Sequence, residues 1–114
     1  MIYFFIGVLC AAAVLFAAVT VYDSNRFVTV EYSIRCRNLK RKYRFVMISD
    51  LHNKRYGEHN EKLLAAFDAQ KPESILIAGD MLTSETPERF GPALELTEIL
   101  AEKYPVYYAN GNHE

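Results

Sequence analysis

The chain has 114 residues, of which 51% are apolar and 24% are charged, and its formal net charge is −1. Positions 1–22 hold 20 apolar residues and no charge, which leaves the rest with the mixed composition of a globular domain. Disordered, collagen-like and coiled-coil chains are therefore excluded.

Charge is distributed unevenly along the chain. Residues 23–44 carry seven cations against two acids, whereas residues 45–114 carry six cations against twelve acids. The only basic stretch adjoins the apolar end, where it suits phospholipid head groups better than a nucleic acid. A membrane partner is therefore expected, and a nucleic-acid partner is not.

Residues 1–22 are predicted to be a retained transmembrane anchor. Residues 2–22 contain no charge, and as a helix they would span about 31 Å, close to the hydrocarbon thickness of a bilayer. A cleaved signal peptide usually has a basic start and a shorter apolar core, and this segment has neither. We therefore expect a single-pass N-terminal anchor.

Residues 23–42 are predicted to be a basic juxtamembrane strand and turn. Positive-inside counting of their cations places the following domain in the cytoplasm. The external side remains an alternative, because several of these charges lie in predicted secondary structure and need not direct topology. The cations counted are Arg26, Arg35, Arg37, Lys40, Arg41 and Lys42.

The domain is expected to begin with an antiparallel hairpin. Residues 28–36 alternate between apolar and polar side chains, which is the period of a half-buried strand. Residues 43–49 form a short, mostly apolar run that is typical of a strand buried on both faces. A polar connection at residues 38–42 joins the two runs.

Two helices and two more strands follow along the chain. Asn60 is predicted to cap a helix that ends at residues 71–72, and residues 74–78 are predicted to be a buried strand. Residues 86–88 predict the start of a second helix, which Pro105 ends, and residues 106–109 form a third apolar strand. The residues at helical spacing are Leu63, Leu64 and Phe67 in the first helix, and Phe90, Leu94, Thr97, Ala101 and Tyr104 in the second.

The predicted order β-β-α-β-α-β defines an α/β domain. Strands joined by crossovers of this length are parallel and have right-handed connections, so the last three strands end at the same edge of the sheet. Ligands bind at that edge in open α/β sheets.

Metal-ligand side chains follow each of these three strands. Asp50 and His52 follow the first strand, Asp80 follows the second, and Asn112 follows the third. In an extended loop the first two would point the same way, and the carboxylate of Asp80 could bridge two cations. Each motif alone is commonly a turn or a helix cap, but three of them at three strand ends indicate a site for Mn, Fe, Zn or Co.

Taken in order, the motifs Asp50-x-His52, Gly79-Asp80 and Gly111-Asn112-His113-Glu114 resemble the first three motifs of the calcineurin-like metallophosphoesterase superfamily. The resemblance covers residues 43–114. It implies the first half of an α/β/β/α sandwich with two divalent metal ions, and a metal-activated hydroxide that attacks phosphorus in line. The glycines at 79 and 111 would permit the close approach that such a site needs.

The resemblance also implies a role for each site residue. Asp50 and His52 would bind the first metal, Asp80 would bridge, and Asn112 would bind the second metal. The catalytic pair would be His113, which steadies the phosphoryl transition state or protonates the leaving oxygen, and Glu114, which orients that histidine.

Two departures from the family pattern affect what we expect. Relatives supply further histidines from later segments, including a Gly-His-x-His motif, and residues 43–114 contain none of these. We therefore expect the N-terminal part of a larger domain, inactive alone, whose sheet exposes an apolar face. Thr83 stands where many relatives have a second acid, and His59 is expected to be a solvated loop histidine rather than a ligand.

Two functions remain open from the sequence. The anchor, the predicted hairpin and the run at residues 49–52 resemble the bacterial membrane-bound branch of the superfamily, some of whose members cleave lipid-linked pyrophosphates. The first prediction is therefore a membrane-anchored phosphoesterase acting on a phosphomonoester, a phosphodiester or a pyrophosphate. The alternative is a catalytically incomplete, membrane-tethered module that binds a metal or a partner.

Overall fold

A computed structural model describes residues 1–83 and 91–112, and the chain divides into two units, residues 1–31 and residues 32–114. The first unit contains one helix, α1 (Ile2–Ser24), and every residue of it is exposed. By length and composition alone, α1 is long and apolar enough to cross a membrane. It contains nearly all of the predicted anchor and extends two residues beyond it.

The second unit contains a parallel sheet of three strands. They are β1 (Phe45–Ile48), β2 (Ser74–Ile77) and β3 (Val106–Tyr108), arranged in the order β1-β2-β3. Val46 pairs with Ile75, and Ile75 pairs with Val106, so the three strands are in register. The predicted α/β class and the parallel sheet are confirmed.

Two helices connect these strands. Helix α2 (Glu61–Gln70) joins β1 to β2, and α3 (Gly91–Lys103) joins β2 to β3. Because both crossovers advance across the sheet in the same direction, right-handed connections place both helices on one face. That face is the core, and its buried apolar residues are Leu51, Leu63, Phe67, Ile75, Ile77, Met81, Ala93, Leu96 and Leu100.

The other face of the sheet is apolar and largely exposed. Met47 is 68% exposed and Tyr107 is 64% exposed, and Leu76 lies between them in the register. The expected apolar face is therefore present. The prediction that residues 43–49 are buried on both faces is wrong, because β1 alternates between exposed and half-buried residues. A continuous apolar run does not reveal whether a second layer covers it.

The strand predicted at residues 28–36 does not form, and the predicted hairpin is wrong. These residues have no regular secondary structure and are exposed, and β1 pairs only with β2 among the described residues. Alternation in sequence determines which side chains share a face if a strand forms. It does not provide the pairing that stabilises a strand, and a lone hairpin is marginal in water.

Both helices differ in detail from the sequence prediction. Asn60 precedes α2 as expected, but its side chain accepts a hydrogen bond from the Tyr56 N–H at 3.0 Å and makes none to the helix. Helix α3 buries Ala93, Leu96 and Leu100, whereas Leu94, at 53% exposed, points away from the core. Two neighbouring stripes of this helix have helical spacing. The predicted stripe is the one that contains Leu94, whereas packing buries the stripe that contains Leu96. The start predicted at residues 86–88 lies outside the described residues.

The difference between Leu94 and Leu96 can be tested directly. Leu96→Ala would remove a fully buried side chain, so we expect the free energy of unfolding to fall by about 2–5 kcal/mol. Leu94→Ala in the same helix is the matched control and should change it by no more than about 0.5 kcal/mol. Urea unfolding of the chain in mild detergent, followed by circular dichroism, measures both. Equal losses would contradict the packing of α3.

Candidate metal centre

The loops after β1 and β2 run side by side beyond the strand ends. The Asp50 N–H donates to the Gly79 carbonyl at 3.2 Å, and the His52 N–H donates to the Asp80 carbonyl at 3.2 Å. The Asn53 N–H donates to the Met81 carbonyl at 2.9 Å. Residues 50–53 are thus fixed against residues 79–81 by main-chain hydrogen bonds.

The loop after β3 packs against the loop after β2. A Cβ built on Gly79 would lie 2.2 Å from the Gly111 nitrogen, and one built on Gly111 would lie 2.2 Å from Oδ1 of Asp80. No side chain tolerates such distances, and Gly79 also has a positive φ of 83°. Both positions therefore require glycine, and this contact joins the loop after β3 to the loop after β2, which already holds the loop after β1.

Asp50 and His52 are neighbours in space, although the loop between them is not extended as predicted. Oδ1 of Asp50 lies 3.7 Å from Nε2 of His52. The two residues have φ values of 56° and 49°, and Asp80 has a φ of 53°. These values lie in the left-handed region, which costs a non-glycine residue about 1–3 kcal/mol and is concentrated at functional sites. Left-handed geometry, not an extended loop, brings this pair together.

Asn112 lies against the Asp80 carboxylate. With its amide nitrogen turned inward, Asn112 donates hydrogen bonds of 3.0 Å to both Oδ1 and Oδ2 of Asp80. With its amide oxygen inward, three acceptor oxygens would face one another, an arrangement that a cation between them would stabilise. About 3.0 Å is also the separation of two oxygens bound at right angles to one cation with bonds of about 2.1 Å.

The four predicted ligands form two pairs, Asp50 with His52 and Asp80 with Asn112. Within residues 1–83 and 91–112, no three His, Cys, Asp or Glu side chains lie close enough together to hold a metal ion. The donor types suit a divalent cation, and the absence of a Cβ at 111 leaves room for the Asp80 carboxylate. Their assignment as ligands stays a prediction, and His113 and Glu114 lie outside the described residues.

The sequence interpretation overlooked Asn53. It has a φ of 57°, and its side-chain Nδ2 lies 3.4 Å from the hydroxyl of Thr83, beyond the Asp80 turn. Its Oδ1 is buried and has no hydrogen-bond partner among the residues that the structure describes. An asparagine directly after His52 was the available signal, because asparagine is one of the residues that enter the left-handed region at least cost. Thr83 thus contacts the first loop through Asn53.

His59 lies apart from this edge and pairs with helix α3. Its Nδ1 is hydrogen-bonded to Oε1 of Glu95, and the Arg55 guanidinium donates to Oε2 of Glu95 at 2.9 Å. The hydrogen bond to Glu95 raises the pKa of His59, and the charge of Glu95 raises it further. As expected, His59 is exposed; its contact is structural, since it ties the residues before α2 to α3.

A family model described as calcineurin-like phosphoesterase matches residues 43–114, which is more than half of the chain. The match begins two residues before β1 and includes all three strand-end loops. No curated protein matches the chain.

The two glycine contacts lead to a paired test. Gly111→Ala would force a Cβ into Asp80, so we expect the free energy of unfolding to fall by about 1–3 kcal/mol and the Asp80 carboxylate to shift. Gly91→Ala, in the first turn of α3, would meet no atom of the described residues within 4 Å and should be neutral or stabilising. Urea unfolding measures both variants. If Gly111→Ala were as stable as the parent, the loops could not be packed as described.

The His59 contact predicts a dependence on pH. Because the folded-state pKa of His59 is raised, its contribution to stability is fully present below the ordinary pKa of about 6.5 and is lost as pH rises through the folded-state pKa. Glu95→Gln should lower the pKa of His59 toward its ordinary value. Glu98→Gln, on the same helix, should leave it unchanged. A proton NMR titration of the imidazole checks this, and an unchanged pKa in Glu95→Gln would refute the pairing.

Proposed function

The chain belongs to the calcineurin-like phosphoesterase family, and we propose that it is a membrane-anchored, metal-dependent phosphoesterase. Its substrate would be a phosphomonoester, a phosphodiester or a pyrophosphate. The observation that carries this proposal is the convergence of three strand-end loops. The side chain of Asp80 lies against Gly111 and Asn112. The main-chain carbonyl of Asp80 accepts a hydrogen bond from the loop that contains Asp50 and His52.

The ligand residues are proposed from position and chemistry. Members of the family typically bind two divalent metals. Asp50 and His52 would hold one, Asn112 would hold the other, and the two oxygens of Asp80 would serve both. Mn, Fe, Zn and Co suit this set of carboxylate, imidazole and amide donors. When bound, such cations lower the pKa of water and neutralise the charge on phosphoryl oxygens.

The protein's own contribution would be orientation and proton transfer. The main-chain hydrogen bonds at Gly79 and Asp80 fix Asp50 and His52 before a substrate arrives, so little ordering is left for the reaction step. His113 follows Asn112 directly, which puts their Cα atoms about 3.8 Å apart. We assign His113 to protonation of the leaving oxygen, or to holding a phosphoryl oxygen in the transition state, and Glu114 to orienting its ring.

Membrane attachment is proposed from α1. The helix is 23 residues long, carries no charge before Asp23, and precedes the basic residues at 26–44. Lysine and arginine next to a span favour the cytoplasmic side, so we propose that the domain faces the cytoplasm. An active site tethered to the bilayer would have ready access to esters carried by lipids, and a lipid-linked pyrophosphate is one substrate of this type.

A second function is favoured by one observation. Within the described residues the ligands form pairs rather than a group of three metal-binding side chains. A module of this kind could hold a metal weakly or bind a partner without turnover. Metal binding without hydrolysis by the parent protein would support this second function.

Hydrolysis by the parent protein and its Asp80→Asn variant tests the first function. The natural full-length protein is assayed on bis(p-nitrophenyl) phosphate with added Mn²⁺. Asp80→Asn would weaken the hold on both cations, whose charge stabilisation is worth several kcal/mol, so kcat/KM should fall at least about 100-fold. Mn²⁺ binding, followed by electron paramagnetic resonance, should weaken in parallel.

Asp68→Asn is the matched control for that assay. Asp68 accepts hydrogen bonds from Tyr104 at 2.5 Å and Lys103 at 3.1 Å, away from the strand-end loops, and an asparagine there can still accept one. It should retain activity within about threefold. If Asp80→Asn and the parent hydrolysed the ester at equal rates, the dimetal proposal would be wrong.

A further inference from the structure

Residues 32–45, which we call the basic segment, carry cations and exposed apolar side chains without any acid. Its six cations lie within the ten residues 35–44, whereas residues 45–114 have six more acids than cations. The basic segment is therefore the one strongly positive part of an otherwise negative domain. Its cations are Arg35, Arg37, Lys40, Arg41, Lys42 and Arg44.

Two of these cations are held by the fold. The Arg41 guanidinium pairs with Glu73 at 2.8 Å and lies 4.0 Å from the centre of the Tyr43 ring. Arg44 donates to the Gln70 carbonyl at 3.0 Å. These contacts attach the end of the basic segment to the last residue of α2 and to the turn before β2, so residues 41–44 are part of the folded domain's surface.

The other four cations are available to a partner. Arg35, Arg37, Lys40 and Lys42 are exposed, and across residues 1–83 and 91–112 the structure gives them no ion pair. They carry a charge of +4 over eight residues, which is a strong local attraction for an anionic surface.

Apolar side chains alternate with these cations and are just as exposed. Tyr32 is 84% exposed and Ile34 is 89% exposed. Leu39 is also exposed, and the exposed rings of Tyr43 and Phe45 stack in parallel with their centres 6.4 Å apart. Aromatic and aliphatic groups between cations favour the boundary of a bilayer, where the rings enter the interface and the charges meet phosphate.

A bilayer fits this surface better than a nucleic acid does. A polyanion that extended past the basic segment would meet the acidic remainder of the domain and be repelled, whereas a bilayer meets only the face turned toward it. Seven residues lie between Ser24, the last residue of α1, and Tyr32, and the eight Cα-to-Cα steps that join the two span at most about 28 Å. If α1 crosses the membrane, the basic segment cannot be far from the head groups.

We propose that the basic segment forms a second membrane contact, in which its unpaired cations and exposed rings bind the head groups of anionic lipids. This inference rests on the proposed insertion of α1, and it goes beyond it by assigning a lipid-binding surface to the folded domain. The contact would limit how the domain can turn about its tether.

The two cysteines of the chain allow the test to be made on the intact protein. Cys36 lies in the basic segment and Cys10 lies in α1, and both are free thiols. A nitroxide is attached to Cys36 in a Cys10→Ala variant, and to Cys10 in a Cys36→Ala variant. Both proteins are placed in vesicles of phosphatidylcholine alone and in vesicles with 30% phosphatidylserine. Electron paramagnetic resonance then measures collisions with a water-soluble nickel chelate and with oxygen.

In vesicles with phosphatidylserine, we expect the rate of collisions between the Cys36 label and the nickel chelate to fall at least fivefold. We call this decrease protection, and 1 M NaCl should remove it. Each cation contributes about a fivefold preference for an anionic surface. The triple variant Arg37→Gln, Lys40→Gln, Lys42→Gln should therefore lose about 100-fold in that preference and show no protection. The matched triple variant Lys54→Gln, Arg55→Gln, Lys62→Gln removes the same charge away from the turn at residues 70–73 that holds the basic segment, and it should keep the protection.

The Cys10 label separates the two ways in which the experiment can fail. If Cys10 lies in lipid and Cys36 is equally accessible in both kinds of vesicle, the anchor stands and the lipid-binding surface is wrong. If Cys10 remains accessible to the nickel chelate, the anchor and this inference both fall. Protection of Cys36 by duplex DNA in neutral vesicles, but not by phosphatidylserine, would overturn the inference in favour of a nucleic acid.

Discussion

The contact between the loops after β2 and β3 determines the geometry of the site. Gly79 and Gly111 meet without side chains between them, and the Asp80 carboxylate lies in the space that a Cβ on Gly111 would occupy. Because β2 is the central strand, its loop touches both neighbours, and Gly79 and Asp80 each contact both of them. Parallel strands alone would only have brought these loops to one edge; the two glycines bring them into contact.

Backbone geometry then orients the side chains at this edge of the sheet. Asp50, His52 and Asp80 all adopt left-handed φ values, which are unfavourable for residues with a Cβ. The cost is offset by main-chain hydrogen bonds across the loops, and these bonds hold the conformation before any ligand is present. Such preorganisation is useful at a metal centre, where like charges must be held close together.

Much of this arrangement could be predicted from the sequence. The apolar runs predict the three strands, and the motifs Asp-x-His, Gly-Asp and Gly-Asn-His that follow them predict the edge of the sheet at which the site lies. The rest depends on tertiary contacts. Residues 28–36 have the period of a strand but pair with no strand in the described part of the chain, and the stripe of α3 that is buried depends on how the helix packs. The left-handed loop at 50–53 and the contact of Asn53 with Thr83 arise only when β1 and β2 lie side by side. Sequence spacing contains no information about them.

We propose that Asp50, His52, Asp80 and Asn112 together hold one pair of cations at this edge. Crystals of the full-length protein grown with Mn²⁺, with diffraction recorded at the manganese absorption edge, test this proposal. We expect two anomalous peaks about 3.5–4 Å apart, with Asp80 beside both, Asp50 and His52 beside one, and Asn112 beside the other. Peaks bound by other residues, or no peak beside Asp80, would contradict it.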